Sequence, residues 1–257
     1  MMLWLAVGAA TAPACATFTA EGGTSTGDDG GVTTTDASAD AASPCMDQHT
    51  LCDDFERDPT NLLGPWGALP DDGGATGSIA IVPGAGKNGS RALVVQNSEA
   101  HRLRMTKTLA SAGKGANVKS ARVVYDAKYE QVATPGAIQT MELALGSRDG
   151  GNLFSVVKVE PGPKLLLDTA GIAGDAGVGE QTRQATLTQS DWHHVDLTVD
   201  FEHDTTTFIL DGQPVTADPG PSITIVADFV DAKIGAQTDP GETVKLTVDD
   251  YFVDIVY

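Results

Sequence analysis

Apolar and polar residues alternate along much of this chain with a period of two. Val195, Leu197, Val199 and Phe201 are interleaved with His194, Asp196, Thr198 and Asp200, the pattern of a strand with one buried and one wet face. Ala121, Val123, Tyr125, Ala127 and Tyr129 alternate in the same way with Arg122, Val124, Asp126, Lys128 and Glu130. Met141, Leu143 and Leu145 alternate with Thr140, Glu142 and Ala144. Further strands are expected over 78–82, 92–97, 102–109, 153–160, 206–210, 222–226 and 244–257, with Gly, Pro or Asp between most of them. About a dozen strands and no helical period predict an all-β fold, an antiparallel two-sheet β-sandwich.

Composition fits that reading. The 257 residues are 41% apolar, enough for one substantial core, and the 29 glycines suit many turns. A net charge of −19 excludes DNA and RNA as partners, because binding them requires a clustered basic face.

The first fifteen residues stand apart. The apolar run Leu3 to Ala10 is too short for a permanent membrane span and reads as a signal sequence over 1–15. Thr11-Ala12-Pro13-Ala14-Cys15 resembles a bacterial lipobox, which implies lipidation of Cys15 and a lipid-anchored place in the cell envelope, at the outer membrane or cell surface. The other reading is ordinary secretion after cleavage near Ala12 to Ala14. Residues 16–43 are Thr, Ala, Gly, Asp and Ser with only Phe18 and Val32 as large apolar side chains, so they are expected to be a disordered, flexible spacer. Residues 44–257 then form the domain; they keep 30 acids and all 16 Lys and Arg, a net charge of −14. Cys45 and Cys52 form the remaining cysteine pair, expected to be a disulfide that pins the start of the domain. The scattered His49, His101, His193, His194 and His203 supply no matching ligand pair for structural zinc.

Three stretches carry a family resemblance. They are Leu51-Cys52-Asp53-Asp54-Phe55-Glu56-Arg57 followed by Trp66; Trp192-His193-His194-Val195-Asp196-Leu197-Thr198-Val199-Asp200 leading into Phe208-Ile209-Leu210-Asp211-Gly212; and Val248-Asp249-Asp250-Tyr251-Phe252-Val253. In order and spacing the domain resembles the concanavalin A-like lectin/glucanase superfamily, especially its laminin G-like branch, and the resemblance implies a jelly roll. It also implies a structural calcium between the first and last strands, with Asp249 or Asp250 and carbonyls near Gly86 to Asn88 as ligands. Solvated acids on an edge strand are the alternative, and no cofactor is required. Lectins, hydrolases, lyases and adhesion modules share this fold, so it does not fix function.

Candidate chemistry is sparse. The strand Gln139-Thr140-Met141-Glu142-Leu143-Ala144-Leu145 has one acid where laminarinase-type relatives have three, so Glu142 reads as an isolated surface acid and no catalytic residue is assigned. Lyases of the fold would want Arg, Gln, His and Tyr around an acidic sugar, which the net charge would repel. Gly84-Ala85-Gly86-Lys87-Asn88-Gly89 matches G-x-G-x-x-G but precedes a strand, and is expected to be a tight turn rather than a nucleotide site. Trp66 either stacks on a sugar or packs beneath the first strand, and Trp192 is expected in the core. These features point to a non-catalytic carbohydrate- or surface-binding module. The alternatives are a polysaccharide-cleaving hydrolase or lyase and an adhesive module with a protein partner.

Overall fold

The computed structural model describes residues 43–67, 77–98, 102–110, 117–134, 136–146, 152–162, 164–173, 176–216, 227 and 229–257. The signal sequence, Cys15, the spacer and the expected strand at 222–226 lie outside the described residues. Among those that are described, no helix is long and apolar enough to cross a membrane.

Fourteen strands are described: β1 (Leu51–Asp53), β2 (Ser78–Val82), β3 (Ala92–Ser98), β4 (Arg102–Ala110), β5 (Ser120–Ala133), β6 (Ile138–Gly146), β7 (Asn152–Glu160), β8 (Lys164–Ala173), β9 (Ala176–Thr186), β10 (Trp192–Asp200), β11 (Thr205–Leu210), β12 (Gln213–Pro214), β13 (Phe229–Gln237) and β14 (Thr243–Val256). They form two antiparallel sheets. One has the order β12-β11-β10-β5-β14-β3-β2 with β1 added against β14; the other is β4-β13-β6-β7-β8-β9. Strand β14 is long enough to pair with β3 through residues 243–248 and with β1 through 251–253, while β5 runs along its other side.

The core lies between the sheets and is supplied by the apolar half of each alternation. Ala121, Val123, Tyr125, Ala127 and Tyr129 of β5 and Val195, Leu197 and Val199 of β10 face Met141, Leu143 and Leu145 of β6 and Val230, Ala232 and Ile234 of β13. The period of two therefore located the buried faces correctly. It did not mark β8, β9 or β13. Lys164–Ala173 begins with a run of Leu instead of alternating, Ala176–Thr186 is rich in Gly and polar residues, and Phe229–Gln237 fills its inward positions with small side chains.

Trp66 and Trp192 take different places. Trp66 is buried; its Nε1–H donates to Asp53 Oδ2 at 2.7 Å and its ring lies 5.0 Å from that of Tyr251. It is thus a core residue beneath β1 and not a sugar platform, because the indole N–H finds its partner inside the fold. Trp192, expected in the core, instead pairs in register with Lys128 on the outer side of β10, half-buried, with the Lys128 ammonium 5.5 Å from its ring centre. Cys45 and Cys52 are disulfide-bonded with Cα atoms 5.5 Å apart, fastening the short 3₁₀ turn Pro44–Met46 to β1.

Residues 84–90 form a turn between β2 and β3, as the following strand requires. Gly86 is needed there, since a Cβ would stand 2.1 Å from Ser90 Oγ and 2.7 Å from Asp249 Oδ2.

Candidate functional site

The six-stranded sheet has one face against the core and one turned away from it. The residues in register fix which side chains share the outer face. Arg104 lies opposite Gly235, Lys233 opposite both Thr106 and Glu142, Gln139 opposite Lys158, and Asp168 opposite both Val156 and Thr182. A polar row therefore crosses all six strands, a width of about 24 Å at the usual strand spacing.

Its centre is a charge network. Glu142 is only 7% exposed and Arg104 6%, although both point away from the core. Arg104 Nη1–H donates to Glu142 Oε2 at 3.1 Å and Gln139 Nε2–H to the same oxygen at 2.6 Å, while the Lys233 ammonium donates to Oε1. Burial pushes the Glu142 carboxyl up, but hydrogen bonding and charge from Lys233, with Arg104 and Gln139, outweigh it and hold the group below its ordinary value. Glu142 is therefore not the isolated surface acid its strand suggests: one carboxylate is met by an ammonium, a guanidinium and an amide. The sequence hid this because the partners come from β4 and β13, 38 and 91 residues away.

Two local features build the network. A β-bulge interrupts the register of β6 between Gln139 and Met141. The extra residue, Thr140, turns inward and donates through Oγ1 to Val157 O at 3.1 Å, which leaves Gln139 and Glu142 on the same face three residues apart. On β13, Gly235 has φ +143°, and a Cβ there would stand 2.1 Å from Leu103 O. Only a glycine lets β4 lie so close beside Arg104.

Next to Gln139, the Lys158 ammonium donates to Asp168, a buried carboxylate that also accepts from Thr182 Oγ1 at 2.8 Å. Val156, in register with both Glu142 and Asp168, and the buried Leu166, opposite Lys158, supply apolar floor between these groups. Among the described residues this face has neither histidine nor tyrosine. Tyr125, Tyr129 and Tyr251 lie in the core, where burial holds their phenols well above the ordinary range or, for Tyr129, pushed up to about 12. His101, just ahead of β4, lies outside the described residues.

A second set of charges occupies the outer face of the eight-stranded sheet. Asp126 and Asp249 face each other in register. Asp126 accepts from Lys87 Nζ and is bonded to His194 Nδ1, both at 2.9 Å. Asp249 Oδ2 accepts from Lys87 N–H at 2.9 Å and Ser90 Oγ–H at 2.8 Å, and its Oδ1 from Asp250 N–H at 3.0 Å. Asp249 therefore meets the Gly86–Ser90 turn through N–H and O–H donors. Asp250 sits at φ +51° in a bulge of β14. Burial, then Asp249 and Asp126, push its carboxyl up to about 6. Among the described residues no group of three or more His, Cys, Asp and Glu side chains is placed to hold a metal ion.

Solved structures show the same two-sheet arrangement. An endo-β-1,4-glucuronan lyase from the fungus Trichoderma reesei superposes with a TM-score of 0.56 at 14% identity, covering 81% of this chain and 96% of that one. The fold is a concanavalin A-like jelly roll. A cellulose-induced protein matches the jelly roll with a TM-score of 0.55 at 12% identity, over 79% of this chain and 96% of its own. No protein-family model and no curated protein matches the sequence.

Proposed function

We propose that this protein acts outside the cytoplasm on a polysaccharide laid across the outer face of its six-stranded sheet, and that it cleaves an acidic chain there by β-elimination. The observation that carries this reading is the convergence of Arg104, Lys233 and Gln139 on one carboxylate at the middle of the face. In β-elimination a base removes the proton next to the uronate carboxylate, the electron pair forms a C=C bond in the ring as the C–O bond breaks, and the departing glycosidic oxygen takes up the proton that the base has gained. The barrier falls when cations and amides neutralise that carboxylate. Lys233, the more open of the two cations of this network, would do so for a uronate beside Glu142, with the buried Arg104 adding its charge from beneath.

The glucuronan lyase on the same fold supports this choice of chemistry. The outer face also answers the objection from net charge. Arg102, Arg104, Lys158, Lys164 and Lys233 stand on it against Asp168, Asp231, Glu142 and Glu160, so it is close to neutral within a domain of −14. The disulfide at Cys45 and Cys52 fits an oxidising compartment.

A second reading, binding without cleavage, draws support from the lack of histidine and tyrosine among the face's described residues. Incubation of the protein with a polyglucuronate and with a neutral β-glucan separates the two. Unsaturated ends from the polyglucuronate, lost in Arg104→Met, support cleavage. Retention without new ends supports the binding module, and the absence of both retention and new ends sinks both readings.

A further inference from the structure

The charged row is not uniform across the sheet. Over β4, β13 and β6 two cations, Arg104 and Lys233, and the Gln139 amide surround a single acid, Glu142, whereas the one ammonium of β7, Lys158, is matched by Asp168 of β8. Over β8 and β9 its character changes. There the outward residues whose side chains are described include Leu166, Asp168, Thr182, Gln184 and Thr186, with Lys164 at the start of β8. Arg183 does not join them, because it lies in register with the core residue Leu167 and therefore turns to the other side of β9.

A uronate placed at the β8–β9 end would meet the Asp168 carboxylate, and the nearest ammonium, Lys158, is already bonded to that acid. A neutral sugar suits the place better. Its hydroxyls can donate to Asp168 and exchange hydrogen bonds with the exposed Thr182 and Gln184.

We infer that the face is graded from acidic-sugar to neutral-sugar recognition, so that its substrate is a heteropolysaccharide in which a uronate is followed by neutral units. This rests on the proposal that a polysaccharide chain lies across this sheet. The chain runs across the strands, its acidic unit over β6 and β7 and its neutral unit over β8 and β9. Specificity for the neutral unit belongs to Thr182 and Gln184. Both are exposed on the edge strand, so changing them leaves the core intact.

The test is calorimetric titration of the full chain with three oligosaccharides of equal length: all-glucuronate, all-glucose, and alternating glucuronate and glucose. Unsaturated ends are followed by ultraviolet absorbance. The mixed oligomer is expected to bind at least tenfold tighter than either homopolymer. Thr182→Val and Gln184→Ala should each remove several-fold of that advantage, lowering the affinity for the mixed oligomer more than that for the all-glucuronate chain. Equal or tighter binding of the all-glucuronate chain overturns the grading but leaves the polysaccharide reading standing. Failure of all three to bind overturns both. An equal loss for the mixed and the all-glucuronate chains in the two variants also counts against the grading, since β9 would then contact acidic units as closely as neutral ones.

Discussion

Arg104 on β4 lies directly opposite Gly235 on β13, and the empty position at 235 lets the two strands approach closely where the guanidinium reaches Glu142. A methyl group at 235 would stand 2.7 Å from Arg104 Cα as well as 2.1 Å from Leu103 O. Gly235→Ala should therefore force β4 outward and cost about 3 kcal/mol in chemical denaturation. It should also weaken glycan retention at temperatures where the variant is still folded. Unchanged retention would separate the strand spacing from the site.

The network around Glu142 predicts strong coupling. Removing one member of a buried ion pair leaves the other without compensation and costs about 3–5 kcal/mol. Glu142→Leu should fall near the lower figure, since Lys233 keeps partial access to water. Joined with Arg104→Met, it should cost clearly less than the sum of the two single changes. Additive losses in a double-mutant cycle would contradict the pairing.

Acid should act on the same group. The Glu142 carboxyl is held below its ordinary value in the folded state, so its contribution to stability is present above the unfolded value near 4.5 and is lost as pH falls through the lower folded value. Glu142→Gln should flatten this part of the stability profile. An unaltered acid limb in the variant would show that other carboxylates govern it.

Asp250 has the opposite sign. Its carboxyl rises from an ordinary 3.8 to about 6, so the folded state carries a penalty that is absent below pH 3.8 and fully present above about pH 6. Asp250→Asn should stabilise the protein at pH 8 by about 1–2 kcal/mol, allowing for its partial exposure, and change nothing at pH 3.5. Asparagine also tolerates the left-handed backbone at this position. Equal melting temperatures of variant and parent at pH 8 would refute the penalty.

Reduction of the Cys45–Cys52 disulfide should lower stability by about 2 kcal/mol, the amount expected for a closed loop this short. Glycan retention should persist, because β1 belongs to the other sheet. Melting with and without reductant, followed by retention on the same samples, checks both points.

Much of the sandwich could be read in the chain because burial on one face writes a period of two, as in 194–201, where β10 forms. The site was less accessible. Its members are spread over six strands, and what makes Glu142 special is the bulge at Thr140 and the missing side chain at Gly235, neither of which alternation records. For Trp66 the sequence left two places open, a sugar platform and packing beneath the first strand, and the structure shows the second. A tryptophan after Gly64-Pro65 has the local sequence of an exposed loop, and only the buried carboxylate of Asp53 accounts for its place inside. On β8, Leu166 breaks the alternation by being apolar on the outer side, so the strand went unmarked although its pairing is regular there.

The position of β14 bears on how the protein is made. It lies between β5 and β3 and receives β1, yet follows every one of them in the chain. Until residues 243–256 pair, the β5-β10-β11-β12 meander and the β2-β3 hairpin have no common neighbour, and β1 has nothing to pair with. Strand β14 is the clasp that joins two locally paired pieces into one sheet, so closure of that sheet waits on the slowest, most distant pairings in the chain.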